Sequence, residues 1–315
     1  MSAGIQSVIS FKKESTWGTA VVPDKSIAVR PSNGIITKTD IQLIPAIKGL
    51  LAKNYNAIKG KVSHEGDYTF DAFADYIGHF LLSALGSDSA ANPGGETIVY
   101  THTFSENVTK PSYTIEQAIG ENVRRYAGAI VSGFKVSGKV GEMLEFTPSI
   151  MAKTQASASA IVPAFTTVPP FNHTQLVVKV GGSTIGEVES FEFEYKNGLE
   201  MVYALGNAEP SYFSINGGSE ASGKIELYLD STSLTRLTNY LSNTQESIEL
   251  IATGGAIGNA SNYSLDILIP KAVYTAAETK VTDSHNLLSI DFDSYYDTAT
   301  SKLLSVALTN LVASY

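Results

Sequence analysis

Cysteine is absent from all 315 residues, so disulfide staples, thiolate nucleophiles and thiolate metal sites are excluded together. Basic clusters are nearly as scarce. The longest are the pairs Lys12-Lys13 and Arg124-Arg125, and 22 Lys+Arg against 31 Asp+Glu give a net charge of −9, which leaves no footprint for gripping phosphate. Long apolar runs are missing too. Nowhere do about 18 apolar residues follow one another, and residues 1–15 do not lead from a basic segment into an apolar one, so the sequence predicts a chain made and folded in a cytoplasm that spans no membrane. Charged residues make up only 17% of the chain, against about 25% in an average soluble domain, a shortage expected of surfaces that become interfaces. What is present is a globular composition, 43% hydrophobic with 10% aromatic residues, in a chain long enough to bury most of its surface.

Reaction chemistry is hard to place on this sequence. The five histidines, His64, His79, His102, His173 and His285, form no close pair suited to zinc; His79 reads as a packing residue and the rest as surface or interface side chains. Asp291-Phe-Asp293 with Asp297 lacks the glycine and terminal Glu of a calcium loop. Gly181-Gly182-x3-Gly186 falls between strands and not before a helix, so it is no phosphate loop, and neither a G-x-S-x-G elbow nor a placed S-x-x-K pair occurs. The expectation is a protein without catalytic residues, cofactor or metal.

Strand signals dominate. Apolar residues alternate in 190–195, where Phe191, Phe193 and Tyr195 oppose Glu192 and Glu194, in 224–230, and in 133–150 across a turn at Gly141-Glu142. Two segments break that period. Phe70, Phe73, Ala74, Ile77, Phe80, Leu81 and Ala84 predict a helix over 70–85, capped by Asp67 or Thr69 and ended by Gly86; Leu234, Leu237, Tyr240 and Leu241 predict a second over 234–241, with Asp230, Ser231 or Ser233 as cap. The chain also repeats itself. Ile58-Lys-Gly60-x5-Gly66 and Ile215-Asn-Gly217-x5-Gly223 superimpose without a gap at an offset of 157, each followed by a strand and a helix. Downstream, Tyr113 and the hairpin 129–153 answer Tyr263 and the hairpin 271–295. The fold expected is mainly β, a β-barrel or β-sandwich with one flanking helix per domain, internally duplicated: domains 1–160 and 171–315 about a linker at 161–170, within the Pro- and Ser-rich stretch 154–170. Charge divides along the same line, because residues 1–170 hold 15 Lys+Arg against 14 Asp+Glu while 171–315 hold 7 against 17, so the halves carry +1 and −10.

Two long segments at matching places, 37–55 and 196–212, read as irregular loops rich in apolar residues: Ile41, Leu43, Ile44, Ile47, Leu50 and Leu51 in the first, Leu199, Met201, Val202, Tyr203 and Leu205 in the second. Leaving such residues in water costs about 25 cal/mol per Å². They either fold back over their own domain or bury themselves in a neighbouring subunit, and duplication favours arms that join subunits. Trp17, the only tryptophan, is either a core plug or the anchor of an N-terminal arm.

In their order, these features resemble the tail tube proteins of long, non-contractile bacteriophage tails. Glu14-Ser-Thr-Trp17-Gly18-Thr19 is similar to that family's E-x-x-[WY]-G-T opening; Gly60-x5-Gly66, Leu85-Gly86, Tyr100-x-His102-x-Phe104, Pro111-Ser-Tyr113-Thr, Val180-Gly-Gly182, Asn197-Gly-Leu-Glu200, Ile215-x-Gly217-x5-Gly223, Ile269-Pro270 and Leu308-Thr-Asn310 continue it over almost the whole chain. The resemblance implies a virion protein, assembled in the bacterial cytoplasm, whose sheets join those of neighbouring copies around a lumen through which the genome leaves. Its partners would be copies of itself within a ring, stacked rings and other tail proteins, with DNA passing unbound. In the commonest version six single-domain subunits make a ring, so a duplicated chain implies a trimer with pseudo-sixfold symmetry; the rival is a hexamer whose second half lies outside. Alternation offers Glu192 and Glu194, Glu226 and Asp230, and Asp291 and Asp293 as acids lining the lumen. A non-enzymatic β-sandwich adhesin of a tail tip is the alternative function.

Overall fold

The computed structural model describes residues 7–31, 34–45, 49, 51, 53–230, 233–258, 260–281 and 285–315. The fold is mainly β with one helix in each half of the chain. In the first half β1 (Ser7–Lys13), β2 (Lys25–Ile27), β3 (Ile36–Pro45), β4 (Asn54–Asp67) and β5 (Phe70–Asp71) precede α1 (Ile77–Leu85). After it come β6 (Gly86–Ala91), β7 (Tyr100–Glu106), β8 (Tyr113–Ile119), β9 (Asn122–Lys139), β10 (Glu145–Ala152) and β11 (Thr154–Ser157). In the second half β12 (Leu176–Val180), β13 (Ser183–Ile185), β14 (Val188–Lys196), β15 (Leu199–Val202), β16 (Tyr212–Ile215) and β17 (Glu220–Tyr228) precede α2 (Leu234–Leu241), and β18 (Gln245–Ala256), β19 (Asn262–Val281), β20 (Asn286–Ser294) and β21 (Ser305–Asn310) follow.

Eight of these strands form one antiparallel run in the order β3, β4, β10, β9, β14, β17, β20, β19. The first four come from the first half and the last four from the second, joined where Phe134 lies opposite Tyr195 and Val136 opposite Phe193. Alternation puts Phe134, Phe146, Phe193, Tyr195, Ile225 and Phe292 on the buried side of the run, and their rings touch across the junction, Phe134 to Tyr195 at 5.4 Å and Phe134 to Phe193 at 5.9 Å. One core therefore passes through both halves. A second join lies at the far side, where β21 pairs with β7, Leu308 opposite His102.

Irregularities in the pairing recur at fixed offsets. A bulge shifts β9 against β10 between Val131–Ile150 and Gly133–Ser149, and another shifts β19 against β20 between Tyr274–Phe292 and Ala276–Asp291. The offset is 143 on the central strand and 142 on its partner. The same holds one strand away. Tyr113–Ala129 and Ile115–Tyr126 flank a bulge between β8 and β9; Glu246–Ala272 and Ile248–Ile269 flank one between β18 and β19, again 143 apart on the central strand. Bulges are placed features of a sheet, so two in common register are a strong likeness. They also correct one sequence-based match: the counterpart of the Tyr113 strand is β18 and not the segment at Tyr263, which lies on β19.

The second glycine of each repeat, Gly66 and Gly223, has the same physical role, whereas Gly217 has open space around it and a φ of +99°. A Cβ on Gly66 would stand 1.9 Å from the Gly34 carbonyl oxygen, and one on Gly223 would stand 2.4 Å from that of Glu192 and 2.3 Å from Phe292 Cζ. At each place the neighbouring backbone leaves no room for a side chain. Gly66→Ala and Gly223→Ala are each expected to lower unfolding free energy by about 1–3 kcal/mol, the range for overpacking. Denaturant unfolding checks this, and a loss below about 0.5 kcal/mol in either would remove close approach as the reason for the repeat.

Of the two helices, α2 has the predicted bounds, with Ser233 at its N-cap; the Ser233 backbone N–H donates to Asp230 Oδ1 at 2.6 Å, and no side chain caps the helix by hydrogen bonding. The first is shorter than predicted. It covers Ile77–Leu85 and ends on left-handed Gly86, whereas Phe70 is on β5 opposite Phe146, and neither Asp67 nor Thr69 caps it. Asp67 belongs to β4, and Thr69 Oγ1 is hydrogen-bonded to Thr147 Oγ1 at 3.0 Å. Phe70 and Ala74 are buried through a strand and a turn, which happen to share helical spacing. The stretch 154–170 is also not a free linker. Its first residues form β11, and further on Tyr76 Oη donates to the Ala164 carbonyl while Ala164 N–H donates to Ser26 Oγ.

Candidate functional site

The face of the eight-strand run opposite the core is polar. Successive rows cross it: Lys135, Glu194, Ser222 and Asp293 lie side by side on β9, β14, β17 and β20, and Ser137, Glu192, Lys224 and Asp291 form the next row. Glu192, Glu194, Glu226, Asp291 and Asp293 thus share one face, as alternation predicts. Asp230 does not, because β17 ends at Tyr228 and Asp230 accepts from Ser233 before α2. Most of these acids are paired with lysines of the same face. Glu192 lies 2.7 Å from Lys135, Glu194 3.0 Å from Lys196, Glu226 2.8 Å from Lys280 and Asp291 3.9 Å from Lys224. Lys280 and Ser190 hold the Glu226 carboxyl below the usual range against a smaller effect of burial. The pairs are half-exposed, so each adds little stability; what they do is set the potential of the face. Its four strands from the first half carry Lys38, Lys61, Lys135 and Lys139 against Asp40, Glu65, Asp67 and Glu145, and the acidic excess sits on the second half. Shallow depressions run along it, one of about 430 Å³ lined by Asp67, Lys135, Ser149, Glu194 and Lys196, with no deep cleft among them.

Both predicted loops are β-hairpins, not irregular chain. The first is β3 with β4, and every residue of β3 except Ile44 is exposed. Ile41, Leu43, Tyr55 and Ile58 are all more than half exposed, and Leu51 stands free of the fold, whereas Ile47 and Leu50 lie outside the described residues. Strand pairing satisfies the backbone of an arm that has little body to lie on. The second hairpin, β15 with β16, is laid against its own chain. Leu199, Met201, Val202 and Tyr203 are half-buried; Tyr203 Oη donates to the Val62 carbonyl at 3.0 Å, the Val62 N–H donates to the Ala208 carbonyl at 2.8 Å, and only Leu205 at the tip is fully exposed. Trp17 packs on this hairpin, its ring 5.7 Å from Phe213 with Lys153 Nζ 4.0 Å above it. It is held within the chain at the junction of the halves.

The Glu14 motif explains that placement. The Glu14 carboxylate is buried and accepts four hydrogen bonds: Gly18 N–H at 2.9 Å and Ser112 Oγ at 2.7 Å on one oxygen, Thr114 Oγ1 and Gly128 N–H, both at 2.8 Å, on the other. Gly18 has φ +75°, the left-handed turn that brings its N–H back to Glu14. The motif is a knot tying the chain ahead of Trp17 to β8 and β9.

Three histidines read as surface side chains or as packing are buried with partners. His64 bridges Thr37 and Glu209 across the two hairpins, at 2.9 Å and 2.8 Å. His102 sits between Asp88, at 2.8 Å, and the Val312 carbonyl. His79 packs on Tyr315, and burial pushes its pKa down to about 3, so it is neutral. His64 and His102 each meet a single acid, but no group of three His, Asp or Glu side chains suited to a metal occurs among the described residues, and Asp297 caps a turn through Thr300. Asp266, half-buried on β19 next to Glu249, has its pKa pushed up to about 6 by burial and by that like charge. A carboxyl raised in the folded state stabilises below its unfolded pKa near 3.8 and loses that contribution as pH rises through about 6. Asp266→Asn is therefore expected to melt higher than the parent at pH 8 and to match it near pH 4, by about 1 kcal/mol at most after allowing for its partial exposure. Equal melting temperatures at pH 8 would refute it.

Among the described residues the polar face has shallow depressions and lies beside a projecting hairpin with exposed apolar side chains. No helix among the described residues is long and apolar enough to cross a membrane. A search among curated proteins returned no match. A family model described as phage tail tube protein matches residues 4–294, nearly the whole chain. The chain belongs to the phage tail tube protein family, whose members are structural components of the virion.

Proposed function

We propose that three copies of this chain close into a ring of pseudo-sixfold symmetry, that rings stack into a hollow tube, and that the polar face of the eight-strand run lines the conduit through which the genome is ejected. The observation carrying this reading is the repeat of four strands, β3-β4-β10-β9 and β14-β17-β20-β19, with bulges in common register. It supports an internal duplication in which both halves are tube domains of one sheet. That argues against a hexamer with the second half outside.

Strand spacing gives an independent test of the copy number. At about 4.8 Å per strand and a tilt of up to about 45°, a barrel from one chain would have almost no bore once side chains are allowed for. Two chains leave roughly 15–20 Å and three leave roughly 30–40 Å, where a DNA duplex is roughly 20 Å across. Three copies pass a duplex without gripping it. The lysine-paired acids suit that passage, because a face of mixed sign with an acidic excess repels phosphate weakly over the ~8 Å screening length. Asp230 is not among the acids proposed for the wall. Electron microscopy of the purified chain tests the reading: hollow tubes or rings are expected, and a strict monomer at high concentration would end it.

A further inference from the structure

Each chain has two open strand edges in the eight-strand run. Among the described residues β3 is paired on one side only, by β4. On β19, β18 covers one side no further than Val273 while β20 covers the other as far as Val281, so from Ala276 to Val281 one edge is unpaired among the described residues. Neither stretch, 36–44 or 276–281, contains proline, so both present N–H groups ready for pairing.

The chain itself holds a filled example of such an edge. On β9 the side opposite β10 is taken by β14, with Glu194 opposite Lys135, Tyr195 opposite Phe134 and Lys196 opposite Gly133. The registers transpose this contact without choice. Gly133 and Ala276 occupy the same place beside the bulge, so Lys135 answers to Glu278. Glu194 pairs with Ser222 and Ile36 with Glu65, positions 157 apart on β17 and β4, so Glu194 answers to Ile36.

We propose that the contact between neighbouring chains repeats the contact inside the chain: β3 of one copy pairs antiparallel with β19 of the next, Ile36 opposite Glu278, Thr37 opposite Ala277 and Lys38 opposite Ala276. This rests on the ring reading and adds which strands meet and in which register. The two edges lie at opposite ends of the run, so they meet only between copies or by closing one chain into a barrel with almost no bore. The pairing sets Lys38 diagonal to Glu278, within reach of an ion pair like that of Lys135 with Glu192, which is also diagonal in its ladder. It also brings Ile36, 44% exposed in the single chain, beside a neighbouring strand.

A chain without cysteine makes the test direct. Ile36→Cys with Glu278→Cys, and independently Lys38→Cys with Ala276→Cys, are placed in otherwise unchanged protein, with Thr37→Cys paired with Glu278→Cys as the slipped control, in which the two side chains face opposite sides of the sheet. Under mild oxidation of assembled protein, both in-register pairs are expected to give interchain bands that stop at three chains, while the slipped pair and each single variant give at least tenfold less. Tubes that form in all variants with no preference for the in-register pairs would overturn the proposed register and leave the tube reading standing. A parent protein that forms neither rings nor tubes would overturn both.

Discussion

Replacing Glu14 by alanine is expected to cost about 3–5 kcal/mol, since it orphans two backbone N–H groups and leaves two buried hydroxyls without their charged acceptor. That is a large share of a typical unfolding free energy of 5–15 kcal/mol. Glu14→Gln separates charge and hydrogen bonding from size. Each carboxylate oxygen accepts from one backbone N–H and one hydroxyl. The hydroxyl can turn to accept from an amide NH2 but the backbone N–H cannot, so either orientation of the amide sets donor against donor. With the charge also gone, the isosteric change is expected to lose more than half as much as alanine. Trp17, three residues along, reports the result as the only tryptophan. Loosening the knot releases it from Phe213 and Lys153, so its emission is expected to shift red before global unfolding. If Glu14→Gln melts with the parent and leaves the emission unchanged, the four-donor knot is not what fixes this turn.

The second large effect concerns assembly and not folding. Deleting residues 41–53 removes the outer part of the β3–β4 hairpin, with Ile41, Leu43 and Leu51 in water and next to no burial in the described chain. Little of the core depends on it, so the melting temperature is expected to change by less than about 3 °C, in keeping with the small effect of surface changes. Polymerisation is expected to be lost, because apolar side chains exposed on an extended arm find burial only in another copy. Sedimentation and microscopy of the deletion read both outcomes. Tubes of normal length from the shortened chain would reduce the arm to a surface loop. The corresponding hairpin of the second half differs, since Tyr203, Ala208 and Glu209 already tie it to β4 of its own chain. Such a tie is what the free arm would make on a neighbour.

Much of this was legible in the sequence wherever burial follows a single strand or helix. Alternation placed Phe191, Phe193 and Tyr195 in the core and five of the six acids on one face. It failed at Asp230, because nothing local marks the end of β17 at Tyr228. The helix at 234–241 was readable in full, and the one at 70–85 overran at its start because Phe70 and Ala74 are buried by other elements. The hairpins were read as loops because their residues obey neither period. What could not be read at all is what depends on distant pairing: the lysines that offset each acid, the partners of His64 and His102, the join of β9 to β14, and the carboxylate knot behind the Glu14 motif. Periodicity shows which side of a strand is wet but not which strand lies beside it.

The charge asymmetry takes on a structural meaning in this arrangement. With both halves in one sheet, the face alternates between a first half with lysines and acids in balance and a second half with an acidic surplus. A trimeric ring would carry three acidic sectors separated by three nearly neutral ones.

The central claim is that one chain supplies two tube domains to the wall, and the symmetry of a single ring tests it most directly. A reconstruction from electron micrographs, with the mass of one ring measured in parallel, is expected to show three chains, true threefold symmetry and a near-sixfold wall with β3 abutting β19 at every chain boundary. Six chains in a ring, with residues 171–315 standing outside the wall, would contradict it.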